Sequence, residues 1–215
     1  MHGLSDKNTV LRDIRAALQA TTAIPYPEER GQLSQVFPPP DEDLALLFAE
    51  RLIEAKGQLI YCESVAELAE NLKKLIQING WRHVYAWEKD IQLFLQTHDI
   101  REARIGKQLD RAEVGLTTCE ALVARTGSIL LSSRQASGRS LSIFPPIHSV
   151  LTHHKQLYYD LSEALQATQT HYQNKMPTML SITTGPSRTA DIEKTLVQGA
   201  HGPKELYVLF LDNQT

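Results

Sequence analysis

The chain has 215 residues, 42 % of them apolar and 22 % charged, which is the balance of an ordinary soluble globular protein. Its 25 acidic and 22 basic residues give a net charge of −3, so no global electrostatic attraction to nucleic acid or to an acidic membrane is expected. No apolar run approaches the ~20 residues that span a bilayer, and the first residues lack the apolar core of a signal peptide. We therefore expect a cytoplasmic protein with one main domain.

The N-terminal residues predict a helix followed by an arm. Residues 5–19 place apolar side chains at helical spacing, and Ser5 is a candidate N-cap. Five prolines then fall between residues 21 and 40, which favours a linker or an extended arm. We predict an appended segment over residues 1–40 and the main α/β domain over residues 41–215.

Strand and helix patterns alternate in the next part of the chain. A Ser64 and Glu67 pair forms the sequence pattern of a capping box, in which both side chains bind free amides at a helix start. Such alternation favours a mostly parallel central sheet flanked by helices. The predicted elements are helix 41–56, strand 59–62, helix 64–80, strand 83–87 and helix 89–96.

The middle of the chain predicts a hairpin. Two apolar runs, 121–124 and 128–132, are separated by Arg-Thr-Gly, the length of a tight turn. The flanking predicted elements are strand 114–118, an apolar segment at 141–144, strand 147–152 and helix 157–168.

The C-terminal part has the length of a βαβ unit. Two apolar runs, 179–182 and 206–211, flank a Thr-Thr-Gly-Pro-Ser turn, a short segment that we predict to be helical, and a Gly-Ala-His-Gly-Pro loop. Loops at the carboxyl ends of strands bind ligands in open α/β sheets, so the turn at 183–188 is a predicted site.

Two separated blocks carry a family resemblance. One is GPSRTADIE at 185–193 with LVQGAHGP at 196–203, and the other is ALVARTGSILL at 121–131 with SGRSLSIFPPIHSVL at 137–151. Their order and spacing resemble the lactate utilization protein C family of LUD-domain proteins from about residue 113 to 211. This chain has Arg125 where that family usually has Asp or Glu before Thr-Gly.

The resemblance implies a fold related to CoA transferases and ribose-5-phosphate isomerases. It also implies an accessory subunit of an L-lactate oxidation system, which converts lactate to pyruvate together with iron–sulfur partner proteins. Two alternatives stay open: a stand-alone enzyme acting on a small anionic or phosphorylated metabolite, and a protein that binds such a ligand without catalysis. A homo-oligomer is also possible, and the sequence leaves open whether the chain is catalytic by itself.

The cysteine content bears on the cofactor. Cys62 and Cys119 are 57 positions apart and neither lies in a C-x-x-C motif. An iron–sulfur cluster takes four thiolates, so we expect none in this chain, and clusters only in the partners. Both thiols lie in or beside apolar runs, which is typical of buried, inert cysteines.

The Gly185-Pro186-Ser187-Arg188 turn is the first candidate ligand site. If a helix begins here, its free amides and the Arg188 guanidinium could bind a carboxylate or phosphate. The same residues are equally typical of ordinary helix capping.

Other candidates lie in neighbouring loops. Thr126, Gly127 and Ser128 present hydroxyl and backbone donors at one point, although a simple hairpin turn is the commoner meaning of such a tripeptide. Arg139 and Ser140 could clamp an anion, or lie in a solvated loop. His148 and His201 are the histidines best placed to act as bases, whereas His153 and His154 are expected at the surface. No metal-site spacing occurs. We predict that loops 126–128, 139–140, 185–188 and 199–203 converge on one pocket.

Overall fold

The computed structural model describes residues 3–19, 43–101, 103–104, 108–173, 175–192, 195–199 and 201–212. The chain divides into two compact units, residues 1–38 and 39–215. The first contributes helix α1 (Gly3–Gln19), which begins two residues before the predicted start, so Ser5 lies inside the helix and is not its N-cap. Four amides at any helix start make no intrahelical bond, which leaves the first residue weakly determined by sequence. The predicted proline-rich arm lies outside the described residues.

In the second unit, the described residues form four α-helices and twelve strands. The helices are α2 (Leu44–Glu54), α3 (Val65–Asn79), α4 (Lys89–Thr97) and α5 (Leu161–His171). The strands are β1 (Gln58–Cys62), β2 (Val84–Ala86), β3 (Ala103–Arg104), β4 (Val114–Thr117), β5 (Ala121–Val123), β6 (Ser128–Ser132), β7 (Ile147–His153), β8 (Leu157–Tyr158), β9 (Leu180–Thr183), β10 (Arg188–Ile192), β11 (Thr195–Gln198) and β12 (Glu205–Leu211).

Six strands form a parallel sheet in the order β1-β12-β7-β4-β2-β3. The central strands β4, β7 and β12 are buried over most of their length, and β4 and β12 are also mostly apolar, as expected for a sheet covered on both faces. The predicted parallel, helix-flanked sheet is therefore confirmed.

A second sheet of four strands has the order β8-β5-β6-β9. Its centre is the predicted hairpin, in which β5 and β6 pair antiparallel across the turn at residues 124–127. Strand β8 pairs parallel to β5, and β9 pairs antiparallel to β6.

The two faces of the large sheet bury separate apolar clusters. Helices α3 and α4 cover one face, where Leu72, Ile76 and Ile91 pack on Leu116 and Leu209. On the other face, α2 and the small sheet form a second cluster that contains Phe48, Leu52, Ile129, Val208 and Phe210. The small sheet and α2 thus form one layer of a three-layer α/β domain.

The start of α3 follows the capping pattern with one difference. The Ser64 hydroxyl accepts a hydrogen bond from the Glu67 amide at 3.2 Å, as predicted. The Glu67 carboxylate accepts from the amide of Glu63, at 2.8 Å, and so reaches one residue beyond the N-cap. Gly80 ends the helix in the left-handed conformation, with φ of 65°.

The predicted C-terminal βαβ unit is wrong. Strand β9 belongs to the small sheet and β12 to the large one, and between them residues 188–192 and 195–198 form an antiparallel pair, β10 and β11, where a helix was predicted. Thr189, Ile192, Thr195 and Val197 are β-branched, and their preference for strands outweighs the short helical pattern.

Two smaller predictions also differ. Helix α5 begins at Leu161 and not at 157, because Asp160 caps it by accepting from the Ser162 amide at 3.0 Å and residues 157–158 join the small sheet as β8. The apolar segment 141–144 forms turns, with Leu141 buried against Gly115.

Candidate functional site

Three of the four predicted loops lie together at the amino edge of the large sheet, where its strands begin. The Ser128 hydroxyl bonds to the Thr126 hydroxyl at 2.7 Å and to the Thr184 hydroxyl at 2.6 Å, which links the hairpin turn to the 185–188 loop. The Ser187 amide donates to the carbonyl of Pro203 at 2.8 Å, and its own carbonyl accepts from Gly199. Ser187 thereby connects the 185–188 and 199–203 loops.

Two glycines of these loops, Gly127 and Gly185, are packed against the C-terminal half of α2. Gly127 has a φ of 61°, and a Cβ built there would lie 2.4 Å from the Leu52 amide nitrogen. Gly185 has a φ of 73°, and a Cβ there would lie 2.1 Å from the Ala55 carbonyl oxygen. Because each of these glycines lacks a side chain, helix α2 can pack closely against the loop that carries it.

Arg188 also contacts the C-terminal end of α2. Its guanidinium donates to the Ala55 carbonyl at 2.8 Å, next to the helix C-terminus, where a positive charge is favourable. Because Arg188 begins strand β10, the predicted anion site at a helix start does not form here. Pro186 is buried beside it, and His201 is exposed in the adjoining loop.

Arg125 is balanced by a neighbouring acid. Its Nε atom lies 2.6 Å from an oxygen of Asp160, and both side chains are partly buried. The pKa of Asp160 lies below its ordinary value, mainly because its carboxylate accepts from the Ser162 amide, with Arg125 adding to the effect. Arg125 therefore ties the hairpin turn to the start of α5, and its charge is neutralised there.

The remaining predicted residues lie in other surroundings. The backbone of Ser140 hydrogen-bonds within its own segment, to Ser137, Ile143 and Phe144, and Arg139 beside it is exposed. His148 lies in β7 and is fully buried, with its Nε2 atom 2.9 Å from the Thr117 hydroxyl. Burial lowers the pKa of His148 to about 4, so it is neutral at physiological pH. The shared pocket of four loops stays a prediction.

A groove lies at the opposite, carboxyl edge of the large sheet. It consists of two adjoining cavities of about 400 and 490 Å³ that share Thr118, Cys119, His153 and Gln156. We call it the carboxyl-edge groove. Its polar end is completed by residues in or next to the small sheet and α5: Glu120, Gln135, Tyr158, Ala167, Thr168, His171 and Tyr172. Its apolar end is completed by residues from α3, α4, β7 and β12: Val65, Leu68, Asp90, Ile91, Phe94, Leu151, Thr152 and Leu211.

The groove has the position that ligands favour in open α/β folds. Strands β2 and β4 are neighbours in the sheet. The chain continues from β2 to β3, at the sheet edge beyond β2, whereas from β4 the next strand of this sheet is β7, on the opposite side of β4. This is a topological switch point, and the crevice outside the carboxyl ends of such strands is a usual binding position. Thr118 and Cys119 follow β4 directly and form the shared floor of the groove.

Glu88 lies beside this crevice, after β2. It is 8 % exposed, and its Oε1 atom accepts from both the amide and the hydroxyl of Ser137. Its Oε2 atom is buried without a hydrogen-bond partner in the described residues. Burial raises the pKa of Glu88 against the opposing effect of the Ser137 hydrogen bonds. Gln135, two residues before Ser137, donates to the Thr118 hydroxyl at 3.3 Å. The bonds from Gln135 to Thr118 and from Ser137 to Glu88 therefore hold residues 135–137 at the switch point.

The groove has no nucleophilic thiol. Cys119 is 4 % exposed and its pKa is raised to about 12, chiefly by burial. Cys62 is buried too, and burial raises its pKa. In the described ranges, no group of three or more His, Cys, Asp and Glu residues is placed to hold a metal ion.

Sequence reasoning missed the residues of the groove, although a signal for them was present. The rule that ligands bind after the carboxyl ends of parallel strands, applied to the correctly predicted strands 83–87 and 114–118, points to Glu88 and to residues 118–120. His153, predicted as a surface residue, is exposed and also lines the groove, and desolvation lowers its pKa.

The chain therefore forms a three-layer α/β domain with a groove at the carboxyl edge of its parallel sheet, the edge at which ligands bind in open α/β folds. The family model of the LUD domain matches residues 45–211, and the chain therefore belongs to the LUD domain family. A crystal structure of a DUF162 family protein from Deinococcus radiodurans has the same fold, with a TM-score of 0.59 at 22 % identity over 78 % of this chain and 96 % of that one.

Relatives match over different spans. Lactate utilization protein C of Macrococcus caseolyticus is 28 % identical over 98 % of both chains. An uncharacterized protein of Neisseria meningitidis is 37 % identical over 45 % of this chain and 41 % of its own length. Lactate utilization protein C of Bacillus subtilis is 33 % identical over 49 % of this chain and 45 % of its own. The higher identities therefore belong to matches that span less than half of each relative.

The described part of the chain also holds no helix with the length and apolar character of a membrane span.

Proposed function

We propose that this protein takes part in L-lactate utilization, as an accessory subunit in the cytoplasm that acts with iron–sulfur partner proteins in the oxidation of lactate to pyruvate. The observation that carries the proposal is the match over 98 % of both chains to a protein named lactate utilization protein C. Membership of the LUD domain family supports it.

The chemistry of the cysteines is consistent with this division of labour. Oxidation of lactate to pyruvate releases two electrons and two protons, and the electrons need an acceptor. Cys62 and Cys119 pack in separate apolar clusters on opposite faces of the large sheet, an arrangement that supports placing the iron–sulfur clusters in the partner proteins. We therefore assign electron transfer to the partners, and to this chain the role of holding or positioning a component of the system.

A gene deletion tests the proposal directly. The deletion strain is expected to lose growth on L-lactate as sole carbon source and to keep growth on pyruvate, which bypasses the oxidation. The full chain supplied in trans should restore growth on lactate. Purification of a tagged chain from lactate-grown cells should bring down iron-containing partners, measured as iron and labile sulfide. Unchanged growth of the deletion strain on lactate would contradict the proposal.

A second candidate is a stand-alone enzyme or binding protein for a small anionic or phosphorylated metabolite. Lys204 and His201, which are exposed in or beside the amino-edge loops, favour it. Thermal-shift measurements with lactate, pyruvate, a CoA ester and a sugar phosphate, followed by turnover assays on any compound that stabilises the protein, distinguish this candidate from the first.

A further inference from the structure

The carboxyl-edge groove is much larger than lactate or pyruvate. A three-carbon acid has six non-hydrogen atoms and fills roughly 180 Å³, since a water-sized group takes about 30 Å³ in the liquid. Each of the two cavities, of about 400 and 490 Å³, has two to three times that volume, and they share part of their lining. A ligand that fills the groove therefore has the size of several side chains.

The charge of the groove also disfavours an acid. The described residues that line it include Glu120 and Asp90 but neither lysine nor arginine. Arg134, near the polar end, stacks 5.6 Å from the centre of the Tyr172 ring and donates to the Lys175 carbonyl at 3.1 Å, so its guanidinium is engaged beside the groove. A carboxylate or phosphate would meet these like charges, and the described lining offers the imidazoles of His153 and His171 but no lysine or arginine to offset them.

Glu120 is held in position to receive a cation. The Tyr172 hydroxyl donates to its Oε1 atom at 2.7 Å, and the Ser132 hydroxyl donates to the same atom at 2.5 Å. Both of these bonds go to one oxygen, so the orientation of the carboxylate is fixed while Oε2 has acceptor capacity left for a ligand. A charge-assisted bond from an ammonium or guanidinium group is the strongest contact that such an oxygen makes.

The other end of the groove suits an apolar side chain. Leu68 and Ile91 are buried there, and Phe94 and Leu211 are partly buried in the same cluster. Val65, at the start of α3, is 41 % exposed at the rim. Covering Val65 and the open sides of its neighbours would remove apolar surface from water, at about 25 cal/mol per Å².

We propose that the carboxyl-edge groove is the docking site for a basic, amphipathic segment of a partner polypeptide, which places a Lys or Arg side chain on Glu120 and an apolar side chain between Val65, Phe94 and Leu211. Size, charge and the division into a polar and an apolar end support this occupant. The inference rests on the proposed function in one respect: the partner is a protein of the same lactate-oxidising system.

The test uses the full chain and a phage-displayed library of random twelve-residue peptides. Enriched peptides are expected to combine Lys or Arg with an aromatic or aliphatic residue. The most enriched one, labelled with a fluorophore, then gives an affinity by anisotropy. Glu120→Gln should weaken that affinity by about 10- to 100-fold, the worth of a hydrogen bond to a charged group. Val65→Ser should weaken it several-fold by removing apolar contact.

Two matched variants serve as controls. Glu50→Gln removes an acid on the exposed side of α2, and Ile53→Ser removes an apolar side chain that is 58 % exposed on the same helix, both away from the lining. Neither should change the affinity. Thermal unfolding of every variant establishes that it is folded, and Gln at position 120 keeps an oxygen for the Tyr172 and Ser132 hydroxyls.

Several results would overturn the inference. They are the absence of any enriched peptide, enrichment of acidic peptides, or an affinity that Glu120→Gln and Val65→Ser leave unchanged. Thermal stabilisation by phenylethylamine that Glu120→Gln abolishes, without any peptide enrichment, would overturn the peptide assignment and give the groove to small amphiphilic cations instead.

Growth data separate this inference from the proposed function. If the deletion strain fails on lactate but a strain with Glu120→Lys grows normally, the docking site is refuted while the lactate role stands. If the deletion strain grows on lactate and peptide binding still depends on Glu120, the lactate role is refuted while the groove keeps its ligand class.

Discussion

Replacing Gly127 by alanine distinguishes a ligand-binding role of the Thr-Gly-Ser motif from a role in packing against α2. A glycine kept for a ligand would tolerate a methyl group in the free protein, whereas a glycine against α2 would not. A Cβ at Gly127 would lie 2.4 Å from the Leu52 nitrogen and 2.5 Å from the Arg51 carbonyl carbon. Both are backbone atoms, so relief requires a shift of helix α2.

Gly80 provides the matched control, because it shares the backbone conformation but not the contact. Its φ is 65° against 61° for Gly127, and no heavy atom lies within 4 Å of a Cβ built there. Gly80→Ala should cost about 1 to 2 kcal/mol, the left-handed penalty for an L-residue. Gly127→Ala carries the same penalty and a further 1 to 3 kcal/mol or so for overpacking. The gain from a less flexible unfolded chain is common to both variants and cancels.

Urea unfolding at pH 7, followed by circular dichroism, measures the difference. The free energy of unfolding should be lower for Gly127→Ala than for Gly80→Ala by about 1 to 3 kcal/mol, and the melting temperature lower by roughly 2 to 4 °C per kcal/mol for a chain of this size. Equal stabilities of the two variants would refute the packing role and return Gly127 to the candidate ligand site.

Three further measurements test the electrostatics and the thiols. Asp160→Ala should lower the free energy of unfolding by about 0.5 to 2 kcal/mol at pH 7, since it removes the N-cap of α5 and the partner of Arg125. Because the folded pKa of Asp160 is lowered, this difference should persist above pH 4 and vanish as the pH falls through the folded pKa; a constant difference down to pH 2 would contradict it. His148 has its pKa lowered from 6.5 to about 4, so the unfolded state gains protons first and stability should fall below pH 6.5, by about 2 kcal/mol at pH 5. His148→Gln, which can keep the bond to Thr117, should remove that part of the pH dependence, and an unchanged profile would count against it. Cys119 should not react with a thiol reagent at pH 8 until the protein is unfolded in urea, and rapid labelling of the native protein would show that it is accessible.

The sequence determined the parallel core because local signals and burial agreed there. Continuous apolar runs such as 206–211 can satisfy both faces of a covered sheet, and the Ser64 cap and Gly80 stop bracket α3 through bonds made within a few residues. The hairpin of β5 and β6 was predictable for the same reason, since its turn is only a few residues long.

The tertiary structure decided where long-range pairing replaced a local preference. The sequence over 188–198 carries a weak helical pattern, but β-branched side chains and antiparallel pairing make residues 188–192 and 195–198 the strands β10 and β11. That change removed the helix start on which the anion site at Arg188 depended, and the guanidinium binds the end of α2 instead.

The candidate site follows the same division. The sequence pattern indicates which strands are parallel. It therefore also indicates that residues 88 and 118–120 meet at one edge of the sheet. The strand order that makes this edge a switch point, and the packing of α5 that brings Tyr172 to Glu120 across 52 residues of sequence, depend on contacts between distant segments. Local propensity does not predict such contacts, because they stabilise the protein only once the layers have packed together.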